Sequence, residues 1–448
     1  MKKVITYGTY DLLHEGHVNL LRRAKALGDY LIVGVTNDNF DRERGKLNVK
    51  NNVLERVEAV KATGLADKII IEDYVGQKID DIQKYDVDVF TVGSDWVGKF
   101  DYLSEYCEVV YLPRTEGISS TMLREEQNGK VGIGIVGAGR IANRFPHEAA
   151  VVSSIEVAGV YDIVPQLAQE FSQKHEIPFV ADSYEQLVEK VDAVYIATPH
   201  LAHYEQARYA LQQGRHVLCE TPMVLDDVQA VELFRMAEER NLIMMEANKT
   251  AHCPAFNHLV TIIKSGLIGD VVDIEASESK VWGNPTLREL DPAQAGGSFY
   301  ELGSYTLLPI VRLLGTDVVD MQFFSKMENG IDIFTKGILH YHNATGSFKV
   351  GLGVKTEGNL VVSGTKGYAY VPAPWWKTDF FELRYEDQNN NKKFFFSWDG
   401  EGLRYEIQEF VSCIYNRRQK TARLRHDDTI FMARAMKNFM SQVNLIKI

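Results

Sequence analysis

Cysteine is scarce: Cys107, Cys219, Cys253 and Cys413 are the only four in 448 residues, widely scattered and without a Cys-x-x-Cys pair. That argues against a disulfide framework and a zinc knuckle, and no resident metal site is expected. No apolar run is long enough to span a bilayer. The opening Met1-Lys2-Lys3-Val4 runs directly into a β-prone stretch, which leaves no room for a cleavable leader. Basic charge is in deficit, with a net charge of −12 and a pI of about 5.6. A general nucleic-acid binder is therefore disfavoured, while local basic pockets for anionic substrates are permitted. Internal repeats and low-complexity tracts are absent too. The expectation is a cytoplasmic protein with no nucleic-acid or membrane partner. With 45% hydrophobic and 25% charged residues, it is ordinary globular chain, long enough for two to four domains.

The most informative stretch is Tyr7-Gly8-Thr9-Tyr10-Asp11-Leu12-Leu13-His14-Glu15-Gly16-His17. It follows the apolar run Val4–Tyr7 and leads into Val18–Ala24, which repeats with helical spacing, so its layout is strand, glycine turn, helix start. Gly8 lets backbone approach a ligand closely. His14 and His17 share a face of the first helical turn, where free amides and the helix dipole favour a phosphate. Two imidazoles there can stabilise charge growing on an attacked phosphorus. The alternative is a surface histidine pair or half a metal site. A strand within Gly28–Asp38, after a helix stop, and strands at Lys68–Ile71 and Val87–Val92 alternate with helices around Leu54–Thr63 and near Lys78–Lys84, which predicts a parallel sheet with both faces covered. Ligands of such sheets sit at the carboxyl strand ends. Gly8–His17, Arg44 with Lys46, and Gly93-Ser94-Asp95-Trp96 converge there. At the segment's end, Arg114 offers a phosphate fork and Ser119-Ser120-Thr121 a capped helix start; a plain capped helix with a solvated arginine is the other reading.

Residues 1–127 resemble the glycerol-3-phosphate cytidylyltransferases, through Gly8–His17, Asp95-Trp96-x-Gly98-Lys99-Phe100-Asp101 and Arg114–Thr121. The resemblance implies that His14 and His17 hold the α- and β-phosphates of CTP. Gly8, Thr9, Asp95, Trp96, Ser119, Ser120 and Thr121 would form the nucleotide side, with Arg114 contacting the nucleotide. Lys46, helped by Arg44, would bridge the phosphates of both substrates, and Asp11 and Arg56 would line the acceptor side. Mg2+ accompanies CTP in that reaction. Two positions depart from the pattern: Ser94 stands where an acidic residue is frequent, and the loop from Lys46 to Arg56 is one residue longer.

Glu125–Lys130 is polar and patternless, so a domain boundary is placed there. Six residues reach at most about 20 Å, which makes the two halves neighbours. Next, Val131–Val136 runs into Gly137-Ala138-Gly139-Arg140-Ile141-Ala142 and an expected helix, the dinucleotide-binding fingerprint in its required context. A turn with incidental glycines is the alternative. A second strand, Ile155–Val160, ends at Asp162. An acid there accepts ribose hydroxyls and repels a 2′-phosphate, favouring NAD over NADP. A later strand, Ala193–Ala197, ends in Thr198-Pro199-His200 with His203 beyond, and Cys219-Glu220-Thr221-Pro222 follows.

From about 131 to 448 the chain resembles the glucose–fructose oxidoreductase / inositol dehydrogenase family, through Val136–Ala142, Ala197–His200, Cys219-Glu220-x-Pro222 and Gly296-Gly297…Gly303. The resemblance implies cofactor contacts from Gly137, Gly139, Arg140, Ile141, Asp162, Thr198, Pro199, His203 and Glu220. Thr221, Asn248 and Glu301 would face the substrate. Thr221 stands where the family has a lysine that steers hydride transfer. Tyr305 stands where the family has a histidine acid/base, and a tyrosine can serve if its pKa is lowered. Lys249, at the end of the sixth strand, could supply the missing cation; a solvated strand-end residue is its other reading. The remaining β-like runs, Val271–Ser277, Gly337–Tyr341, Gly346–Lys349, Asn359–Gly364 and Tyr368–Val371, suggest a largely antiparallel sheet. Closing helices are expected over Glu406–Tyr415 and Asp427–Val443.

The expected architecture is α/β, in three domains. A nucleotidyltransferase Rossmann-like domain covers 1–129 and an NAD-binding Rossmann domain 130–250. An α+β domain for substrate and oligomerisation, built on a large mostly antiparallel sheet, covers 251–448. Two functional readings follow. In the first, an NAD(H)-dependent half reduces a keto or aldehyde group and the other half activates the polyol phosphate with CTP, for teichoic acid or capsule synthesis. In the second, the protein is a cytidylyltransferase with a silent NAD- or sugar-binding module. An oxidoreductase with a decayed first domain is disfavoured by the intact first motif set. A homo-oligomer is expected.

Overall fold

The computed structural model describes residues 1–43, 49, 51–73, 76–113, 129–281, 287–396 and 398–448; the side chains of Asn39, Arg42, Glu43 and Asp95 lie outside it. The chain divides into two compact units, Met1–Gly129 and Lys130–Ile448.

The first unit is built on five strands: β1 (Lys3–Gly8), β2 (Tyr30–Thr36), β3 (Lys68–Glu72), β4 (Val89–Gly93) and β5 (Glu108–Leu112). Their order is β3-β2-β1-β4-β5, and every pair is parallel. β1 and β2 are nearly continuous in apolar residues because both sheet faces are covered. Val4, Leu31 and Val33 pack with Leu21, Ala24 and Val60 on one side. Ile5, Ile32 and Phe90 pack with Ile82 and Leu103 on the other. Gly34 is forced by this packing, since a Cβ there would stand 2.2 Å from the Tyr7 ring. The strand order reverses between β1 and β4, which opens a crevice beyond their carboxyl ends. Helix Glu15–Lys25 begins beside that crevice. Helix Val53–Ala62 is started by a reciprocal capping box between Asn52 and Glu55.

The second unit opens with a parallel sheet of β6 (Val131–Val136), β7 (Ile155–Tyr161), β8 (Ala193–Ile196), β9 (His216–Glu220) and β10 (Met244–Ala247), in the order β10-β9-β8-β6-β7. A nine-stranded sheet follows: β11 (Val271–Ser279), β12 (Asp320–Glu328), β13 (Ile331–His340), β14 (Thr345–Gly351), β15 (Leu360–Gly364), β16 (Tyr368–Val371), β17 (Phe380–Arg384), β18 (Lys392–Phe395) and β19 (Leu445–Lys447). Its order is β18-β17-β16-β15-β11-β14-β13-β12-β19. Parallel pairing occurs between β11 and β14 and between β12 and β19, and the other pairs are antiparallel. Helix Ser298–Leu314 covers one face, with Phe299 stacked on Phe348 at 5.1 Å between ring centres.

Two sequence expectations change. The dinucleotide fingerprint was read as running into a helix. It enters a 3-10 turn at Ala142–Arg144 and then a short helix, Phe145–Ala149, whose start is fixed by Pro146. Proline lacks an N–H, so a helix can begin there but an earlier one cannot continue through it. Strands β12, β17, β18 and β19 were not anticipated; β17 and β18 lie at one edge of the sheet, and β19 at the other.

The chain's last helices, Leu403–Tyr415 and His426–Met440, return to the dinucleotide-binding layer. Leu403, Ile407 and Phe410 share a core with Ile133, Phe145 and Tyr195. Glu148 fixes the approach: its carboxylate accepts from Arg404 Nη2 at 2.8 Å and from the Glu401 amide at 3.1 Å.

Candidate active sites

In the first unit, the turn after β1 takes positive φ at Tyr10 (54°) and Leu12 (46°) and delivers His14 to the N-cap of helix Glu15–Lys25. His14 Nδ1 accepts the Gly16 amide at 3.1 Å. The proton of the neutral ring must then sit on Nε2, which makes that nitrogen a donor. Burial lowers the His14 pKa, so the ring is neutral at pH 7. His17 stacks on it with ring centres 3.9 Å apart and planes 23° apart, and Tyr10 meets His17 edge-on at 5.5 Å. Stacking and cap together hold the imidazoles side by side before any ligand arrives.

Around the pair, several expected binding groups are also structural. A Cβ on Gly8 would lie 2.9 Å from the Tyr10 ring, so this glycine admits an aromatic side chain. Thr9 donates to Asp41 Oδ1 at 2.7 Å, and Asp11 Oδ1 accepts from the Asn51 amide at 3.0 Å. Arg56 is 1% exposed. Its guanidinium donates to the carbonyls of Thr9, Thr36 and Asn51, to Asp41 Oδ2 at 3.1 Å, and to Asp38. Arg56 therefore ties the β1, β2 and 53–62 elements together beneath an open depression of about 530 Å³ lined by Tyr10, Leu12, Leu13, Asn51, Glu55 and Ala59. Trp96 packs on Phe100 at 5.8 Å, with Lys99 Nζ 5.3 Å from its ring centre. Arg44, Lys46, Arg114, Ser119, Ser120 and Thr121 lie outside the described residues, as does the Asp95 side chain. Among the described residues no cluster of His, Cys, Asp or Glu could hold a metal ion.

In the second unit, Gly137 has φ of 94°, and a Cβ there would stand 2.9 Å from the Ala197 carbonyl oxygen. Gly139 has nothing within 4 Å of a Cβ position, which leaves that face open. Asp162 Oδ2 accepts the Ala138 amide at 2.8 Å and Oδ1 the Val164 amide at 2.8 Å. The carboxylate is thus fixed against the glycine loop, and these residues fit a dinucleotide. Arg140 Nη2 meets Glu289 Oε1 at 3.0 Å. His203 is fully buried, with its ring nitrogens 3.0 Å from the Pro222 carbonyl and 2.8 Å from the Thr198 carbonyl. It buckles the two loops that carry Pro199 and Thr221. Thr198 donates to Gln206 Oε1 at 2.6 Å.

Beyond the strand ends lies a buried charged cluster. Glu220 accepts from Tyr195 Oη and, at 3.3 Å, from the Thr221 amide; burial pushes its pKa up to about 7. Thr221 Oγ1 donates to the buried Glu246 at 2.9 Å, and Thr429 donates to the other oxygen at 2.8 Å. Lys249 is not a solvated strand-end residue, being 8% exposed; burial lowers its pKa. Asn248 is fully buried, and neither atom of its side-chain amide has a partner among the described residues. Burial, with Glu220 and Glu406, raises the Tyr305 phenol's pKa, the reverse of the lowered value that suits a tyrosine acid. Glu301 joins Arg288 at 3.1 Å and lies 3.6 Å from His200 Nε2; burial pushes its pKa up to about 7.

The sequence reading missed Glu406, Glu278, Arg288 and His200 as members of this cluster. One signal was present for Glu406. It falls on the apolar stripe of Leu403, Ile407 and Phe410, where an acid is out of place unless it has a task.

Comparison with known proteins agrees with the two-unit division of the chain. Residues 5–126 match the cytidylyltransferase-like family. Residues 131–248 match the oxidoreductase family with an NAD-binding Rossmann fold, and 256–370 match the GFO/IDH/MocA C-terminal domain. Over 126 residues the chain is 52% identical to the glycerol-3-phosphate cytidylyltransferase of Bacillus spizizenii, covering 28% of this chain and 97% of that one. Over 296 residues it is 31% identical to trans-1,2-dihydrobenzene-1,2-diol dehydrogenase of Bos taurus, covering 63% of this chain and 87% of that one. The chain belongs to both families. It is an enzyme in two parts, a cytidylyltransferase-family nucleotidyltransferase and an NAD(P)-dependent oxidoreductase. In fold, the oxidoreductase part is similar to a 3-ketoreductase from Actinomadura kijaniata solved with NADP and TDP-benzene. The TM-score is 0.64 at 21% identity, over 71% of this chain and 99% of that one. No helix among the described residues is long and apolar enough to cross a membrane.

Proposed function

We propose that the chain is bifunctional. Its first unit transfers CMP from CTP to a polyol phosphate such as glycerol 3-phosphate, releasing pyrophosphate. Its second reduces a keto or aldehyde phosphate with NADH to supply that polyol phosphate. The observation that carries the first activity is the stacked His14/His17 pair at a helix start. An acceptor phosphate oxygen attacks the α-phosphorus in line, and the bond to the β-phosphate breaks. Such a reaction needs positioning and charge stabilisation more than covalent help. His14 Nε2–H, with His17 beside it, would donate to the phosphate oxygens as charge shifts toward pyrophosphate. Lys46, Arg44 and Arg114 would neutralise the remaining charge, the Ser119–Thr121 hydroxyls would hold the triphosphate, and Mg2+ would arrive with CTP. The CDP-polyol would feed teichoic acid or capsule synthesis in the cytoplasm, from a homo-oligomeric enzyme.

A reduced nicotinamide, when bound, would supply a hydride to the second site. Gly137, Gly139, Arg140 and Ile141 would cradle its pyrophosphate, and Thr198, Pro199 and His203 would shape the nicotinamide side. The Asp162 carboxylate would accept ribose hydroxyls and repel a 2′-phosphate, which favours NADH over NADPH. A second reading is favoured by Thr221. Its hydroxyl is engaged by Glu246 and brings no charge, as a silent binding module would require.

Incubating the chain with CTP, Mg2+ and a panel of keto phosphates, with and without NADH, separates the readings by mass spectrometry. A CDP-polyol formed only with NADH is expected. Transfer onto ready-made polyol phosphates with no NADH consumed would leave the second unit a binding module.

A further inference from the structure

Two cations of the second unit converge on a single oxygen. Arg144 Nη1 and Lys377 Nζ lie 2.9 Å and 3.3 Å from Glu401 Oε2. Among the described residues neither cation touches another acid, so two positive charges meet one negative charge. All three side chains are half-buried, and a solute can reach them. Each is delivered by a braced segment of its own. Arg144 closes the 3-10 turn Ala142–Arg144 that follows the glycine loop. Lys377 ends the turn Trp375–Lys377, in the connection between β16 and β17. That turn is fixed twice: Trp375 Nε1 donates to the Ser277 carbonyl at 3.0 Å, and the Trp376 carbonyl accepts from Thr250 Oγ1 at 2.8 Å. Thr250 lies just past the carboxyl end of β10. Glu401 is held by its amide, which donates to Glu148 Oε1 at 3.1 Å. The group therefore stands at the carboxyl edge of the parallel sheet, where ligands of such folds bind.

Resting on the redox reading above, we propose that Arg144 and Lys377 form the subsite for the phosphate monoester of the carbonyl substrate, and that Glu401 occupies it in the empty protein. Charge decides the exchange. A phosphate monoester carries about −1.5 to −2 near neutral pH and has three acceptor oxygens. It matches both cations, whereas one carboxylate matches one. Arg144 offers a planar fork and Lys377 a point charge, and both head groups suit phosphate oxygens. As the phosphate enters, Glu401 keeps its amide bond to Glu148 and turns its carboxylate to solvent. No covalent bond changes at this subsite. It fixes one end of the substrate and gives the unit a preference for phosphorylated over free carbonyl compounds.

The test uses the full chain, with inorganic phosphate as the first probe. In calorimetry at constant ionic strength, phosphate is expected to raise the second unit's transition in the parent chain. Arg144→Met and Lys377→Met should abolish that rise. Glu401→Gln keeps the shape but removes the competing charge, and should enlarge it. Kinetics with NADH and a keto phosphate that the parent chain reduces should follow the same signs. Lys377→Met should raise KM by ~10-fold or more, the effect of losing a hydrogen bond to a charged group, and Lys377→Arg should recover most of it. Glu401→Gln should lower KM by ~2–5-fold, the range for removing an exposed ion pair. A salt bridge that only braces the fold would give the opposite sign for Glu401→Gln or no dependence on phosphate. If the second transition ignores phosphate, or if Glu401→Gln weakens its response, the proposal fails. If NADH binding weakens in Lys377→Met while KM for the keto phosphate holds, the anion is the pyrophosphate of the dinucleotide and the substrate assignment fails. If no keto phosphate is reduced while the phosphate response keeps the expected signs, the redox reading fails and the anion subsite stands.

Discussion

The two sites of this chain are assembled in opposite ways. The histidine pair of the first unit is local: β1, one turn and the first turn of one helix bring His14 and His17 together within four residues. The buried charged cluster of the second unit takes Glu220 from β9, Lys249 from the end of β10, Glu278 from β11, Tyr305 from helix Ser298–Leu314 and Glu406 from a helix near the chain's end. A site made by one turn keeps its geometry wherever the motif is kept. A cluster drawn from five elements exists only once those elements have packed.

The largest expected effect tests whether the first site's frame is as local as its chemistry. Arg56 forms a buried ion pair with Asp41 and donates to three carbonyls from separate segments. Removing one partner of a buried pair costs about 3–5 kcal/mol. Arg56→Met should lower the calorimetric transition of the first unit by that much and leave the second unit's transition in place. An unmoved first transition would mean that Arg56 belongs to the acceptor pocket and not to the frame.

Next comes the histidine pair itself. His14→Ala should reduce CDP-polyol formation by ~10²–10³-fold, the range for losing one preorganised donor to a developing negative charge, with NADH binding unchanged. Transfer at the parent rate would break the assignment of the first unit.

In the second unit, Thr221 now serves as a donor to buried Glu246. Thr221→Val leaves that oxygen with only the Met223 amide at 3.3 Å, at a cost of about 1–3 kcal/mol. Chemical denaturation should show the loss. No loss would mean that the hydroxyl is free for substrate.

The last expected effect is read as a slope. Asp332, 1% exposed, has its pKa pushed up to about 7 by burial. Below the unfolded value near 3.8 both states are protonated, and the contribution of this group is fully present. As pH rises from there toward 7, the unfolded state ionises first and stability falls, by at most about 1.4 kcal/mol per pH unit; above 7 it levels. Asp332→Asn should remove that fall, read as a flatter Tm against pH for the second unit alone. An unchanged slope would place the titration elsewhere.

Much of this was legible before any coordinates. The alternation of strands and helices, Gly8–His17, the Gly137–Ala142 fingerprint and the glycines at 296 and 297 all depend on backbone rules that act over a few residues. Gly297 is one such case: it has φ of 130°, and a Cβ there would stand 2.3 Å from Asp332 Oδ1. The short strands β17 and β18 at the sheet's end were not legible, because they exist through pairing, β17 with β16 and β18 with β17. Nor was the role of Arg56, whose partners lie 5 to 47 residues away.

The sequence alone determined that one chain carries a histidine-pair nucleotidyltransferase motif and a dinucleotide-binding motif, since each is a contiguous pattern whose geometry follows from local backbone conformation. Only the tertiary structure decided that Lys249 and Glu406 are buried and that the last helices complete the dinucleotide-binding core. Burial and charge proximity are set by what other elements pack against a residue, and no spacing within a segment encodes them.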